Sequence, residues 1–346
     1  MKILIITGTY NPSINGVAIS VEIMSKNLVK EGHKIMVLAP ANSFAVNDSP
    51  FVIRYPSLNN FFVKDYPIPL FPLTPSIYKE ITKFKPDIVH VHHPFHIGFF
   101  ANYISDLFKI PLVFTYHTKH DYYSEEYLKF LPKDIKSKYI IGSVLDFCKK
   151  CNLVIAPSED IKNYLKKNNL NNIVVIPSIV DDLNKKKISK KDLRAKLGLP
   201  IDKKLLLFVG RLAIEKNINL LIETATKLSS SYAFILCGTG PIEDEIKNKI
   251  KKLNINDKFL LLGKKDRNII GEYYQASDYF CYPSVSETQG LIYWEALNFG
   301  LPVVSVDSSV AREWVRSEFG ILSKNNSSQM YKNIIKITKF DYLKMS

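Results

Sequence analysis

The sequence predicts an α/β protein of two successive doubly wound, Rossmann-like units. Three observations carry that reading. Short apolar runs rich in β-branched residues alternate with amphipathic helical patterns along the chain, the mark of βαβ units closing a parallel sheet. The 346 residues exceed one typical domain and fit two. A charged stretch, VDDLNKKKISKKDLRAKLGLPIDKK, interrupts the alternation, which then restarts. The predicted bounds are residues 1–180 for the first unit, 181–203 for a linker and 204–346 for the second unit.

In the first unit KILIIT, KIMVLAP, DIVHVHH, PLVFTYH, LVIAPS and IVVIPS read as strands. Each is apolar at consecutive positions, as parallel strands covered on both faces should be. VAISVEIMSKNLVKEGH and FFANYISDLFK are helical patterns between them. After the break come LLLFVG, a helix through NINLLIETATKLS, AFILCG, a helix from Pro241, KFLLLG, IIGEYYQAS, YFCYPS, LIYWEALNFG and PVVSVD. In open α/β sheets ligands bind beyond the carboxyl ends of the strands, so a cleft lined by the loops after the strands is expected.

Composition narrows the classes. MKILIITGTYNP has too short an apolar run for a signal peptide, and no window holds about 18 uninterrupted apolar residues. The expected location is therefore cytoplasmic. Cys148 and Cys151 sit at i and i+3 before a strand, with no second Cys or His pair downstream, and read as small apolar residues. The net charge is +14, and residues 129 to 196 hold 16 Lys and Arg against 7 Asp and Glu. Helix-turn-helix, zinc-finger and RNA-binding signatures do not accompany the charge, so nucleic acid is disfavoured. A solvated face and a surface that meets anionic lipid remain.

The loops after the strands carry unusual residues. TGTYNPSINGVA places Gly16 at a helix start, where backbone can approach a phosphate. GRLAIEKN places Arg211 and Lys216 after a strand, two cations suited to an anion. CGTGPIEDE has Gly238 and Gly240 but Glu243 where a dinucleotide fingerprint needs a third glycine, which disfavours an NAD enzyme. VHVHHPFH and TYHTKHDYY hold His90, His92, His93, His96, His117 and His120. They lack the H-E-x-x-H pattern of a catalytic metal, and hydroxyl recognition suits them better. In SVSETQGLIYWEALNFGLPVVS, Glu287 and Glu295 are eight positions apart, with Gly290 between. Glu295 lies in an apolar helix, where an unpaired carboxylate costs several kcal/mol, so a ligand or a cation must stand opposite it.

On these residues the chain resembles the retaining, nucleotide-sugar-dependent glycosyltransferases of family four, from Met1 to about residue 323. The carriers are E-x7-E (Glu287 to Glu295) followed by G-L-P, R-x4-K (Arg211 to Lys216), NPSINGVA and TYHT, in the family's order. NGVAIS, TYHT and SETQGL look most like the lipid-acting branch, such as diacylglycerol glucosyltransferases. The resemblance implies a GT-B fold, two Rossmann-like domains facing a central cleft, and a UDP-glucose donor with no cofactor. It implies that Glu295 takes the ribose hydroxyls and that Glu287 lies by the donor sugar. Gln289, Gly290 and Leu291 would face sugar and diphosphate through their backbone. Arg211 and Lys216 would neutralise the diphosphate without a metal, Gly16 would close on it, and His117 would reach the primary hydroxyl of the sugar. Gly263 and Lys264 lie where the family holds the base. Two departures are PSIVD (177–181) in place of P-T-G-x-D, and an end soon after MYKNIIKITKFDYLKMS, where relatives often continue into a helix crossing back to the first domain.

The expected reaction moves a hexose to a hydroxyl acceptor, a membrane lipid such as diacylglycerol, with retention. No carboxylate stands out as a dedicated nucleophile, so a front-face reaction is favoured. The alternatives are a non-catalytic nucleotide- or sugar-binding protein and a His-cluster metal-dependent hydrolase. KDIKSKYIIGSVLDFCKK sets Lys133, Lys136, Lys138, Lys149 and Lys150 around Ile135, Tyr139, Ile140, Val144, Leu145 and Phe147. With Tyr122 and Tyr123 before it, this basic helix is expected to lie on an anionic membrane at the inner face of the cell membrane, near the acceptor.

Overall fold

The computed structural model describes residues 1–13, 15–41, 48–58, 67–70, 74–117, 133–177 and 186–339, without the side chains of residues 133–138 and 268. The chain divides into two units, Met1–Asp181 and Asp182–Ser346.

The first unit is a seven-stranded sheet in the order β3-β2-β1-β6-β7-β8-β9, with every neighbouring pair parallel. Its strands are β1 (Lys2–Ile6), β2 (Lys34–Pro40), β3 (Val52–Tyr55), β6 (Ile88–Val91), β7 (Leu112–Thr115), β8 (Leu153–Ala156) and β9 (Ile173–Val175). A two-stranded antiparallel pair, β4 (Ser57–Leu58) with β5 (Ile68–Pro69), stands apart. The helices are α1 (Gly16–Lys30), α2 (Pro75–Phe84), α3 (His96–Phe108), α4 (Lys133–Lys150) and α5 (Glu159–Lys167). Alternate residues of β1 and β2 enter opposite cores. Leu4, Ile6, Met36 and Leu38 join the cluster that holds α3 and α4, while Ile3, Ile5, Ile35, Val37 and Ala39 pack with Val17 and Val21 of α1. The period of two side chains per strand thus covers both faces, which is why these strands are apolar throughout.

The second unit is a six-stranded parallel sheet in the order β12-β11-β10-β13-β14-β15. Its strands are β10 (Lys204–Val209), β11 (Tyr232–Cys237), β12 (Phe259–Gly263), β13 (Tyr279–Tyr282), β14 (Val303–Val306) and β15 (Gly320–Ser323). Its helices are α6 (Lys190–Leu197), α7 (Ile218–Ala225), α8 (Glu243–Lys252), α9 (Arg267–Ala276), α10 (Leu291–Asn298), α11 (Ser309–Trp314) and α12 (Ser327–Ile337). In both sheets the order reverses beside the first strand, between β1 and β6 and between β10 and β13.

Residues 189–203 are not linker, contrary to the sequence expectation. Ser189 caps α6 by accepting from the Asp192 amide at 3.1 Å, and Gly198 ends it at φ +65°. Leu193 is fully buried in the second core. Buried Arg194 donates to Asp278 at 2.6 Å and to the Ala276 carbonyl at 2.8 Å. The lysines hid a short amphipathic helix. The short β4 and β5 and two strands of the large sheets also escaped the sequence reading. β3 carries Arg54 mid-strand, whose guanidinium is held by Asp48 and by the Pro40 and Asn11 carbonyls. β15 is only GILS, entered at a glycine whose missing Cβ would meet the Val303 carbonyl oxygen at 2.3 Å.

Candidate active site

The strand-order reversal in the second sheet brings the loops after β10 and β13 side by side, and most of the predicted residues of that unit lie there. Arg211 stands half-buried at the start of the β10 loop. Lys216 closes a single 3-10 turn, Ile214–Lys216. From the β13 loop Glu287 meets it: Oε1 of Glu287 accepts from Lys216 Nζ and from the Tyr282 hydroxyl. Lys216 Nζ also lies 5.8 Å from the Tyr282 ring centroid. Both partners are mostly buried. Burial pushes the Glu287 carboxyl up, but the Lys216 charge and the bonds from Lys216 and Tyr282 outweigh it and hold the group below the ordinary range. Glu287 is therefore a buried anion at neutral pH.

The glycines Gly238 and Gly240 have a steric role here. A Cβ on Gly238 would come within 1.9 Å of the Gly210 carbonyl oxygen, and one on Gly240 within 2.1 Å of that of Leu212. Their absence lets the β11 loop lie against the β10 loop, tied by Gly210 N–H to Cys237 O and Leu212 N–H to Thr239 O, both 3.0 Å. Gly263 ends β12 at φ +68° with open space where a Cβ would be, and its carbonyl accepts from Gly238 N–H at 2.9 Å. Lys264 follows, exposed.

Gly290 is demanded twice. Its φ of +70° is left-handed, and a Cβ would strike the Trp314 indole at 2.4 Å. It caps α10, so Gln289 and Gly290 lead directly into the helix that starts at Leu291. One turn on, Glu295 is buried, and both its oxygens are held: Oε1 accepts from Arg267 Nη1 at 2.7 Å and Oε2 from the Tyr274 hydroxyl at 2.8 Å. The required cation is thus Arg267, 28 positions earlier on α9. Two further donor atoms of Arg267, Nε and Nη2, are buried with no hydrogen-bond partner among the described residues. Sequence reasoning missed Arg267, Tyr274 and Tyr282. The burial argument called for a cation, but a partner on another helix leaves no local signal.

In the first unit, Gly16 begins α1 after Asn15, whose side chain accepts from the Ala18 amide at 2.9 Å and donates to Thr9 Oγ1 at 2.8 Å. A Cβ on Gly16 would meet nothing within 4 Å, so packing does not require glycine there. His117, after β7, is buried, and its Nε2 shares a proton with His92 Nδ1 at 2.7 Å. The His90, His92 and His117 rings form a ladder with centroids 4.3 and 5.0 Å apart. His90 Nε2 bonds Thr115 Oγ1 at 2.7 Å. Burial lowers the ladder's pKa values, His90 to about 4, His117 to about 3 and His92 well below its ordinary value, so the ladder is neutral. Among the described residues no group of three His, Cys, Asp or Glu is placed to hold a metal ion.

Tyr122, Tyr123 and His120 lie outside the described residues, as do 178–181. Lys133, Lys136 and Lys138 fall on α4, with their side chains outside the description. Of the apolar residues expected to face a membrane, Val144 and Phe147 are instead buried in the first core with Leu145 packed on it, while Tyr139 is exposed. The sheet claims that face because it is the continuous apolar side of the helix. Cys148 and Cys151 are buried free thiols, and burial pushes the Cys151 thiol up to about 12. No helix among the described residues is long and apolar enough to cross a membrane.

Comparison with known proteins agrees with this geometry. The Glycosyltransferase Family 4 sequence model matches residues 14–182, and the Glycosyl transferases group 1 model matches residues 189–340. The chain is 30% identical over 319 residues to alpha-monoglucosyldiacylglycerol synthase of Streptococcus pneumoniae, covering 88% of this chain and 71% of that protein. It is 29% identical over 364 residues to the enzyme of the same name from Acholeplasma laidlawii, covering 97% and 88%. Its fold matches Anabaena HepE, solved with UDP and glucose, at a TM-score of 0.75 and 20% identity, covering 100% of this chain and 91% of that one. Two parallel Rossmann-like units of the GT-B kind, an E-x7-E element at the strand-order reversal and these relatives lead to one conclusion: the chain belongs to the family four glycosyltransferases.

Proposed function

We propose that the protein transfers glucose from UDP-glucose to the free hydroxyl of a membrane lipid such as diacylglycerol, with retention at the anomeric carbon and without a metal. The observation that carries this reading is the meeting of Lys216, Glu287 and the Gly290-capped helix at the reversal between β10 and β13. The names of the two diacylglycerol-glycosylating relatives support the acceptor.

The residues divide the work by charge. Arg211 and Lys216 neutralise the diphosphate as negative charge grows on it, and the amides of Gln289, Gly290 and Leu291 add the positive end of α10. Glu287 gives its second oxygen to a sugar hydroxyl while Oε1 keeps Lys216 aligned. Glu295 takes the ribose hydroxyls on lone pairs that Arg267 and Tyr274 leave, since a carboxylate has about four acceptor positions. Gly263 and Lys264 hold the base, and the family resemblance assigns Gly16 and His117 of the first unit to the donor's diphosphate and sugar. The departing diphosphate oxygen receives the acceptor's proton as the new glycosidic bond forms on the same face. The enzyme works as a peripheral protein at the cytoplasmic side of the membrane.

The test is incubation of the purified protein with UDP- and GDP-sugars, with and without anionic liposomes containing diacylglycerol. Mass spectrometry identifies the product, NMR coupling reads its anomeric configuration, and a parallel arm contains EDTA. The expected outcome is α-glucosyldiacylglycerol from UDP-glucose at a rate EDTA leaves unchanged. Transfer from GDP-sugars only, a β-linked product or loss of activity in EDTA would each overturn the corresponding part.

A further inference from the structure

We infer that the outward face of α3 is the surface that docks on an anionic lipid bilayer, in place of the lysine-rich helix α4 alone. This rests on the lipid-acceptor reading for its purpose but on separate observations for its place.

Helix α3 buries Ile97, Ala101 and Ile104 against the sheet. Its opposite side should be polar, as on any surface helix of an α/β domain. Instead Phe99, Tyr103 and Leu107 lie 57%, 52% and 44% exposed, with exposed Phe95 one turn before them. The spacing of four residues stacks the row on one face. Exposed Tyr78 of α2 lies near the C-terminal end of α3, its ring 6.2 Å from that of Phe108. Single exposed apolar residues are ordinary, but a contiguous row marks a binding surface.

Charge beside the row selects the occupant. Helix α4 crosses α3 closely, with Phe147 against Gly98, where a Cβ would lie 2.9 Å from its ring. That crossing brings Lys150 Nζ to 5.8 Å from the Phe99 ring centroid. Lys149 and Lys109 are exposed nearby in sequence, and α4 holds five Lys and two Asp. Asp146 pairs with Lys149 at 2.9 Å, so Lys150 is the cation set at the row itself, and Asp106 keeps its charge while accepting from the Asn102 amide at 2.8 Å. An aromatic row bordered by lysines is what a bilayer interface with anionic headgroups accepts: rings enter the interface while ammonium groups reach the phosphates. A second copy fits less well, since a two-fold contact through this row would set the lysines of both copies together.

The experiment is sedimentation of the full chain with phosphatidylcholine vesicles, with and without phosphatidylglycerol and lacking diacylglycerol. The protein is compared with Phe99→Ser/Tyr103→Ser and with Lys149→Glu/Lys150→Glu. UDP affinity and the thermal midpoint check that each variant is folded. Anionic vesicles should bind the parent chain, high salt should release it, and each double variant should bind at least about tenfold more weakly. Binding of Phe99→Ser/Tyr103→Ser equal to the parent, or no binding of the parent at low salt, overturns the inference. So does a parent that is dimeric by light scattering and becomes monomeric in that variant. A separate assay uses a short-chain diacylglycerol in solution. Glucosylation there without vesicle binding refutes the docking face alone. Docking without glucosylation refutes the acceptor reading alone.

Discussion

At the scale of the residue, the two carboxylates of E-x7-E are held differently, and their variants should differ accordingly. Glu295 is clamped from both sides by Arg267 and Tyr274. Replacing Glu295 by Ala should weaken binding of UDP itself, and Arg267→Ala should weaken it to a similar degree, about tenfold or more, because the carboxylate loses its orientation. Glu287→Ala should cost UDP less than it costs UDP-glucose, since on UDP it acts only by aligning Lys216. Calorimetric titration of both ligands reads the split, and equal losses on UDP for Glu287→Ala and Glu295→Ala would reject it. The Lys216–Glu287 pair makes a second prediction. Lys216→Ala leaves a mostly buried anion unpaired, at a cost of about 3 kcal/mol. Lys216→Ala/Glu287→Gln should regain most of that stability without regaining transfer, as measured by denaturant unfolding and turnover.

At the scale of the element, α10 depends on one backbone conformation. Gly290→Ala must place a Cβ at φ +70° and against the Trp314 indole. The left-handed strain alone costs about 1–2 kcal/mol. The thermal midpoint should fall and UDP affinity drop with it, because the amide donors of the helix start move. Gly290→Ala/Trp314→Leu removes the clash but keeps the strain, so it should recover only part of both. Full recovery would show that φ is not constrained. The Gly16 site offers the contrast. Gly16→Ala has room in the free protein, so it should leave the midpoint nearly unchanged and weaken only donor binding.

At the scale of the whole molecule, the imidazole ladder links stability to pH. The folded-state pKa of His90 and His117 is lowered, to about 4 and about 3, by burial. Below about 6.5 the unfolded chain therefore takes up protons that the folded chain refuses. Stability is fully present above that pH and is lost as pH falls from about 6.5 toward 4, each ring contributing up to about 1.4 kcal/mol per pH unit. Glu287, lowered below its ordinary value, adds to the loss below about 4.5. Unfolding midpoints between pH 8 and 4 check this, and a flat profile from 6.5 to 5 would contradict it. His90→Leu should make the profile shallower.

Much of the fold was legible along the chain. The apolar runs of β1, β2, β6, β7, β10, β11 and β14 declare buried parallel strands because burial on both faces removes any need for alternation. Glu295 announced that it needs a partner, since an unpaired carboxylate in the apolar helix LIYWEALNFG is too costly to bury. E-x7-E and R-x4-K are local spacings, and they carried the family. Contacts between distant segments left no such trace. Arg267 clamps Glu295 across 28 positions, and Gly290 is glycine partly because Trp314 lies over it. The lysines of 185–196 concealed a helix whose Leu193 belongs to the second core. On α3 and α4 periodicity showed that each helix has an apolar stripe, but only packing decided which stripe meets the sheet: the sheet took Val144 and Phe147 of α4 and left Phe99 and Tyr103 of α3 outside. A residue's type sets the cost of its burial or exposure, and the neighbours that meet that cost are chosen only when the chain closes on itself.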